Sequence, residues 1–174
     1  MLDPEVRAHV EASPPDQPLG VDDAAARRLA ARRWIDGIFE RFGLPGPPVA
    51  RVVDHDVPVS NGSILVRSYH PHETPHLPAH VYLHGGGWTG GSVHELVCDA
   101  TARHRSVASG CVTFAVEYRL APEHRFPTAV HDVVAVIRWI REHTCELGVD
   151  PRTITMGGSS AGAKAANQAW SRWK

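Results

Sequence analysis

The chain has 174 residues, enough for one domain with a hydrophobic core and too few for two ordinary domains. Hydrophobic residues make up 43% of the sequence and charged residues 21%, proportions typical of a folded globular protein rather than a disordered one. The 18 basic and 19 acidic residues give a net charge of −1, so electrostatics provide no reason to expect nucleic acid as a partner.

The cysteines and the N-terminal residues favour a cytoplasmic protein. Three cysteines, at positions 98, 111 and 145, argue against a disulfide framework and a zinc site, and each is expected to be a buried thiol in an apolar stretch. Residues 1–18 lack the apolar run of a signal peptide, and no stretch approaches the roughly 18 apolar residues of a membrane span. We expect neither metal nor cofactor.

The first 48 residues predict an arm, a helix and a break. Residues 1–19 combine charges with prolines and are expected to be loosely ordered. Residues 21–42 predict a helix capped by Asp22 or Asp23, which the Pro/Gly-rich residues 43–48 end. The expected apolar stripe of this helix consists of Leu29, Trp34, Ile38 and Phe39.

The rest of the chain predicts an α/β fold with a mixed, mostly parallel sheet and helices on both faces. Strands over 49–59 and 63–70 flank Asn61-Gly62, a strong hairpin signal. Strands and helices then alternate, which is typical of parallel β–α–β units. We predict a strand from 79 to Leu83, a helix over 93–108, a strand over 111–118, a helix over 127–147, a strand over 152–158 and a helix from about 160.

The sequence Gly158-Ser159-Ser160-Ala161-Gly162 lies between a predicted strand and a predicted helix. In that context G-x-S-x-G indicates a nucleophile elbow, a sharp turn that projects the serine hydroxyl from strained backbone. Glycines at both ends let neighbouring backbone approach closely, and the helix N-terminus places partial positive charge beside a developing oxyanion. The alternative interpretation is a Ser/Gly helix cap without a catalytic role.

A second motif, His84-Gly85-Gly86-Gly87-Trp88, follows the strand that ends at Leu83. Consecutive glycines free the backbone to aim N–H groups at the oxyanion of an acyl-transfer reaction. The predicted elements between the two motifs bring both loops to the carboxyl edge of one sheet, where open α/β sheets bind ligands. An ordinary glycine-rich turn is the competing interpretation.

These motifs, together with Tyr-Arg-Leu-Ala-Pro-Glu-His over 118–124 and Asp150-Pro151, resemble the hormone-sensitive-lipase family of bacterial carboxylesterases. The resemblance covers roughly residues 50–162. It implies an α/β-hydrolase fold, with residues 1–45 as an N-terminal arm and cap helix and residues 46–174 as a core that ends just after the elbow. It also implies an esterase that acts on small esters.

The resemblance implies a role for each matching residue. Ser160 would be the nucleophile, and the N–H groups of Gly86, Gly87 and Ala161 would form the oxyanion hole. Gly85 would shape the turn and His84 would bond the loop rather than move protons. Tyr118, Arg119, Glu123 and His124 would brace the loop that follows the central strand.

The sequence departs from this family after the elbow. The triad partners of α/β-hydrolases follow the serine in the order acid, then histidine, but residues 161–174 contain no His, Asp or Glu. We therefore expect a truncated copy with little or no activity and marginal stability as a monomer, whose open sheet edge favours self-association or aggregation. A non-catalytic small-molecule-binding module and an assembly module that a partner chain completes are the alternatives.

Overall fold

The computed structural model describes residues 3–12 and 23–173, without the side chains of residues 9 and 10. Helix α1 spans Pro4–Ala12 and helix α2 spans Ala24–Phe42. The expectation of a loosely ordered arm is therefore wrong for residues 4–12, and residues 13–19 lie outside the described part. Asp23 caps α2, because its carboxylate accepts the N–H groups of Ala25 and Ala26 at 2.9 and 3.3 Å; Asp22 is not described.

Helix α2 is not held by the predicted apolar stripe. Leu29 is 49% exposed and Trp34 is 56% exposed, while Ile38 and Phe39 are only half-buried. Polar contacts also hold the helix against the loop before helix α3 (Leu96–Ser109). Arg32 donates to the carbonyl oxygen of His94 at 2.7 Å, and Asp36 accepts the N–H of Leu96 at 2.8 Å. The helical period is correct, but the inward side of α2 carries polar as well as apolar residues, among them Arg32 and Ile35, which are absent from the predicted stripe.

Five strands form one sheet in the order β1-β2-β4-β3-β5. Their bounds are Arg51–Val59 (β1), Gly62–His70 (β2), Leu77–Leu83 (β3), Val112–Val116 (β4) and Val149–Gly158 (β5). β2 pairs antiparallel with β1 and β4, whereas β3 pairs parallel with β4 and β5. Four strands thus run in the same direction, which confirms the predicted mixed, mostly parallel sheet. β1 and β2 are joined through Ser60 and Asn61, and Asn61 adopts φ 64°.

Helices cover both faces of this sheet. Helix α3 spans Leu96–Ser109, α4 spans Thr128–Glu142, α5 spans Thr144–Leu147 and α6 spans Ala161–Trp173. The helix predicted over 127–147 is broken at His143, after which the short α5 ends at Gly148 with φ 65°. A glycine accepts this left-handed conformation without the steric penalty that a Cβ brings.

The period-two alternation of the central strands divides the core into two clusters. On one face, Val81 and Leu83 of β3 and Phe114 of β4 are fully buried with the apolar sides of α4 and α6. On the other face, Tyr82 and Ala115 pack with residues of α3. The sheet is therefore buried on both sides at its centre, and the loops after β3, β4 and β5 meet at one edge.

A chain of hydrogen bonds lies inside the β1–β2 hairpin. Arg51 Nη2 donates to His70 Nδ1 at 3.2 Å, so His70 Nε2 carries a proton and donates to Ser68 Oγ at 3.1 Å. Ser68 Oγ in turn lies 2.8 Å from His55 Nε2. Burial, followed by the charges of Arg51 and His55, lowers the pKa of His70 to about 4. The hairpin therefore holds His70 neutral.

The cysteines differ in exposure. Cys98 is buried as expected, and burial, more than the nearby carboxylates, raises the pKa of its thiol to about 12. Cys111 is half-buried and Cys145 is exposed, so the expectation of a buried thiol is wrong for Cys145. No helix in the described part of the chain is both long and apolar enough to cross a membrane.

Candidate active site

Ser160 lies at the turn between β5 and α6. Its side chain is exposed and its φ of 51° is in the left-handed region, which is uncommon for a residue with a side chain. The turn is held by hydrogen bonds: Ala163 N–H donates to the Ser160 carbonyl oxygen at 3.1 Å, and Gly162 N–H donates to that of Ser159 at 2.8 Å. This strained strand–turn–helix geometry is the one expected of a nucleophile elbow.

The end of β3 passes close behind the elbow. Ser159 N–H donates to the Leu83 carbonyl oxygen at 3.0 Å. A Cβ on Gly158 would lie 2.5 Å from that oxygen, and a Cβ on Gly162 would lie 2.3 Å from it. Both distances are far below van der Waals contact and the obstructing atoms are backbone, so the two glycines are required by this close approach.

The glycine-rich loop, defined here as residues 84–91, lies against the elbow. A Cβ on Gly85 would lie 3.3 Å from the Ser159 carbonyl oxygen and 3.7 Å from the Ser160 Cβ. The loop turns back on itself, because Gly90 N–H donates to the Gly86 carbonyl oxygen at 2.8 Å. Gly86 and Gly87 have φ of 127° and 61°, so glycine supplies conformations that other residues rarely adopt.

Three backbone donors at this edge are free. Within residues 3–12 and 23–173, no protein acceptor takes the N–H of Gly86, Gly87 or Ala161. Ala161 is the first residue of the 13-residue helix α6, whose N-terminus carries partial positive charge. Backbone N–H groups fixed in this way can stabilise a negatively charged oxygen without reorganisation. These are the three donors that the sequence analysis selected.

His84 holds the glycine-rich loop in place. It is 3% exposed, and its Nδ1–H donates to the Gly85 carbonyl oxygen at 2.7 Å. The ring stacks on that of Tyr118 with centroids 4.3 Å apart, and the Tyr118 hydroxyl donates to the His84 carbonyl oxygen at 2.7 Å. Burial lowers the pKa of His84, so the ring stays neutral. These contacts support the predicted structural role.

An ion pair braces the segment that follows β4. Asp132 of α4 is fully buried, and its carboxylate accepts hydrogen bonds from Nη2 of Arg119 at 2.6 Å and from the Arg119 backbone N–H at 3.0 Å. Arg119 Nη1 also donates to the Ser60 carbonyl oxygen at 3.0 Å. The pair thereby ties the β4 segment to α4 and to the β1–β2 turn. The hydrogen bonds from Arg119 to Asp132, and then the charge of Asp132, raise the pKa of Arg119.

Arg28, which was not among the predicted site residues, joins α2 to the glycine-rich loop and to the segment that follows β4. Its Nε donates to the Thr89 carbonyl oxygen at 2.8 Å and its Nη2 donates to that of Ala121 at 2.7 Å. It also forms a bidentate ion pair with Glu123, whose pKa falls to about 2 mainly through this hydrogen bonding. The position of the Arg28 side chain over two separate loops depends on tertiary structure, and no local pattern indicates it.

A cavity of about 220 Å³ lies beside the glycine-rich loop and the elbow. Its lining includes Ile35 of α2, Tyr82 of β3, Glu95 and Ser159. The Tyr82 hydroxyl and Ser159 Oγ are 3.3 Å apart. Burial, and then the charges of Asp36 and Glu117, raise the pKa of Glu95.

The described residues supply no base for Ser160. Within that part of the chain, no side chain lies within hydrogen-bonding distance of Ser160 Oγ. No group of three or more His, Cys, Asp or Glu residues there could hold a metal ion. His124, for which we predicted a bracing role, donates its backbone N–H to the Leu120 carbonyl oxygen at 2.9 Å and lines a separate cavity together with Arg28 and Glu123. The structure thus brings the elbow and the free N–H groups to one edge without a histidine partner.

Curated relatives of this chain carry esterase names. The esterase LipI of Mycobacterium tuberculosis (strain ATCC 25618 / H37Rv) is 37% identical over 155 residues, which cover 85% of this chain and 48% of LipI. The arylesterase of Saccharolobus solfataricus is 36% identical over 119 residues, which cover 68% of this chain and 38% of that protein. The chain therefore spans about half the length, or less, of these relatives.

Solved structures of esterases and a family model also match this chain. A hyperthermophilic esterase from the archaeon Pyrobaculum calidifontis superposes with a TM-score of 0.80 and 34% identity, covering 98% of this chain and 53% of that chain. The metagenomic carboxylesterase EstE1 superposes with a TM-score of 0.75 and 38% identity, covering 83% and 47%. A family model described as alpha/beta hydrolase fold matches residues 80–174. Because this match includes more than half of the residues, the chain belongs to the α/β-hydrolase fold family.

Proposed function

We propose that the chain carries the nucleophile and oxyanion hole of a serine carboxylesterase that hydrolyses short-chain or small esters through an acyl-serine intermediate. The observation that carries this proposal is the left-handed turn at Ser160 beside three free N–H groups. The esterase names of the relatives support ester hydrolysis as the reaction. No metal or cofactor takes part in the proposed chemistry.

The proposed reaction has two steps. Ser160 Oγ attacks the ester carbonyl carbon while a base takes the hydroxyl proton. The carbonyl oxygen becomes an oxyanion, which accepts hydrogen bonds from the N–H groups of Gly86, Gly87 and Ala161. The intermediate collapses, the ester C–O bond breaks and the alcohol leaves with the proton. Water then attacks the acyl-serine, which releases the carboxylic acid and restores the hydroxyl.

The base is the missing component. Residues 161–174 contain no His, Asp or Glu, so these 174 residues cannot complete the triad in the order serine, acid, histidine. We propose that they are inactive or nearly so when assayed alone. Where triad members are removed from a serine hydrolase, the oxyanion hole and substrate binding still leave a residual rate about 10³- to 10⁴-fold above water.

We propose that residues 1–45 form a cap and residues 46–174 form the catalytic core. Arg28 and Arg32 support the cap, because both side chains reach from α2 to carbonyl oxygens of loops at the site edge. Ile35 of the same helix lines the cavity beside the elbow.

A chimera tests the proposed activity. The 174 residues replace the matched 53% of the Pyrobaculum calidifontis esterase, and hydrolysis of p-nitrophenyl butyrate is measured. We expect turnover that Ser160→Ala reduces by about 10⁴-fold or more. Ser159→Ala is the matched control, since that neighbouring hydroxyl contacts Tyr82, and it should retain most of the activity.

Folding of the chimera is checked by circular dichroism and a cooperative melt, so that inactivity can be interpreted. A folded chimera that hydrolyses no ester, or whose Ser160→Ala variant is equally fast, would contradict the proposed function. A folded chimera that is stabilised by esters without turning them over would instead favour the binding-module alternative.

A further inference from the structure

The cavity beside the glycine-rich loop is lined by side chains that the proposed reaction does not use. It has a volume of about 220 Å³ and lies between that loop, Ile35 of α2 and residues of α3. Its polar lining consists of Tyr82, His84, Glu95, Thr101 and Ser159. None of the described residues that line it is an arginine or a lysine. The lining therefore supplies no permanent positive charge.

Glu95 brings a carboxyl group to this cavity without a counter-ion. The residue is 7% exposed, and no basic side chain of the described residues forms an ion pair with it. Burial, and then the charges of Asp36 and Glu117, raise the pKa of Glu95, whereas Arg32 and the Ser92 backbone lower it to a smaller extent. A buried carboxylate is unfavourable unless it is paired, so a cation in the cavity would stabilise its ionised form.

His84 adds a hydrogen-bond acceptor that has no protein donor. Its Nδ1 carries the ring proton, because it donates to the Gly85 carbonyl oxygen at 2.7 Å, and burial keeps the pKa of the ring low, so the ring is neutral. Nε2 therefore holds a lone pair, which is buried and accepts from no donor of the described residues. Since buried acceptors are nearly always paired, this atom favours a ligand that donates a hydrogen bond.

The hydroxyl groups of the cavity also offer more acceptors than donors. Thr101 Oγ1 donates its one hydrogen to the Val97 carbonyl oxygen at 2.7 Å, so its lone pairs remain available. The hydroxyls of Tyr82 and Ser159 lie 3.3 Å apart, and the hydrogen bond between them uses one of their two hydrogens. Ile35 and Val97 add apolar surface to the lining. The cavity thus combines a carboxylate and several acceptors with an apolar wall.

We propose that this cavity binds a small molecule that carries a primary ammonium group on a short aliphatic chain. The ammonium has a positive charge for Glu95 and three N–H donors for acceptors such as His84 Nε2. The volume has room for about seven water-sized groups, which limits the aliphatic chain to a few carbons. A water molecule could donate to His84 but would leave Glu95 without a counter-charge. This inference does not depend on ester hydrolysis.

Four probes of similar size test the proposal with the full chain. n-Butylammonium has both the charge and the donors, 1-butanol lacks the charge, tetramethylammonium lacks the N–H donors, and butyrate reverses the charge. Binding is followed by the shifts of assigned NMR signals. We expect n-butylammonium to bind about tenfold more tightly than each of the others, the lower range for a hydrogen bond to a charged group. The amide signals of Gly85, Gly91 and Thr101 and the ¹⁵N signal of His84 Nε2 should move.

Variants and pH isolate the role of Glu95. Glu95→Gln removes the charge with little change in shape, so it should remove the preference for n-butylammonium over 1-butanol, whereas Glu95→Asp should retain part of it. Glu142→Gln, on the exposed side of α4, should change nothing. The affinity for n-butylammonium should rise with pH as Glu95 ionises, because a primary ammonium stays charged to about pH 10, and that for 1-butanol should not. Each variant is first checked for an unchanged circular dichroism spectrum.

Other outcomes would overturn the proposal. Equal affinities for n-butylammonium and 1-butanol would show that the cavity selects neither charge nor donors, and absence of binding by all four probes would show that it admits no ligand. An unchanged affinity in a folded Glu95→Gln variant would show that Glu95 is not the counter-ion. Signal shifts confined to residues outside the lining would place the ammonium elsewhere on the molecule.

Discussion

Replacement of Asp132 by alanine removes the carboxylate that holds the segment after β4. Asp132 is fully buried and Arg119 has a side chain only 16% exposed, so the substitution leaves a largely buried guanidinium without its partner. Removal of one partner from a buried ion pair lowers the free energy of unfolding by about 3–5 kcal/mol. For a chain of this size that free energy lowers the Tm by about 6–20 °C. Thermal and guanidinium unfolding followed by circular dichroism measure both quantities.

The Asp54–Arg67 pair provides the control. It has the same bidentate geometry, with Arg67 Nε and Nη2 at 2.6 and 2.8 Å from the Asp54 oxygens, but Asp54 is 48% exposed. Asp54→Ala should therefore cost less than about 1 kcal/mol. In addition, Asp132→Ala combined with Arg119→Ala should be no less stable than Asp132→Ala alone. Equal losses for the buried and exposed pairs would refute the reasoning from burial.

Three further predictions concern other parts of the fold. The pKa of His70 is about 4 in the folded chain and near 6.5 when unfolded, so the unfolded state binds more protons between these values and stability should fall as the pH drops from 6.5 to 4. The free energy of unfolding is measured by chemical denaturation at each pH. An unchanged dependence of that free energy on pH in His70→Asn would contradict the prediction. Gly91→Ala should destabilise the chain more than Gly87→Ala, because its Cβ would lie 2.0 Å from a carbonyl oxygen whereas that of Gly87 meets nothing within 4 Å; equal unfolding free energies would count against the loop geometry. A thiol reagent at pH 8 should label Cys145 rapidly and Cys98 only on unfolding, as peptide mass mapping can show.

The order of elements could be predicted from the sequence because hydrophobic periodicity and glycine positions are local signals. Asn61 and Gly148 end their segments with the left-handed backbone expected of turn and cap residues. The elbow and the glycine-rich loop could likewise be found, since Gly158 and Gly162 of the elbow and Gly86 and Gly91 of the loop are required by backbone approaches of 2.5 Å or less. At these positions the residue type, the backbone conformation and the packing all indicate the same local structure.

Other features could not be predicted, because they depend on contacts between distant residues. Helix α2 has a helical pattern, but its inward side includes Arg28, whose partner Glu123 lies 95 positions away and cannot be identified from a local pattern. Similarly, the buried pair of Arg119 and Asp132 forms only when α4 packs against the sheet. Helix α1 was not predicted because its nine residues alternate charged and small residues and are followed by Pro14 and Pro15, which favour a loosely ordered segment.

Ser160 is proposed to be the nucleophile of a serine esterase. The most direct measurement treats the folded chimera with a fluorophosphonate and identifies the modified residue by peptide mass spectrometry. We predict one phosphonyl group on Ser160, none after Ser160→Ala, and unchanged labelling after Ser159→Ala. Labelling of another residue in a folded chimera, or none at all, would contradict it.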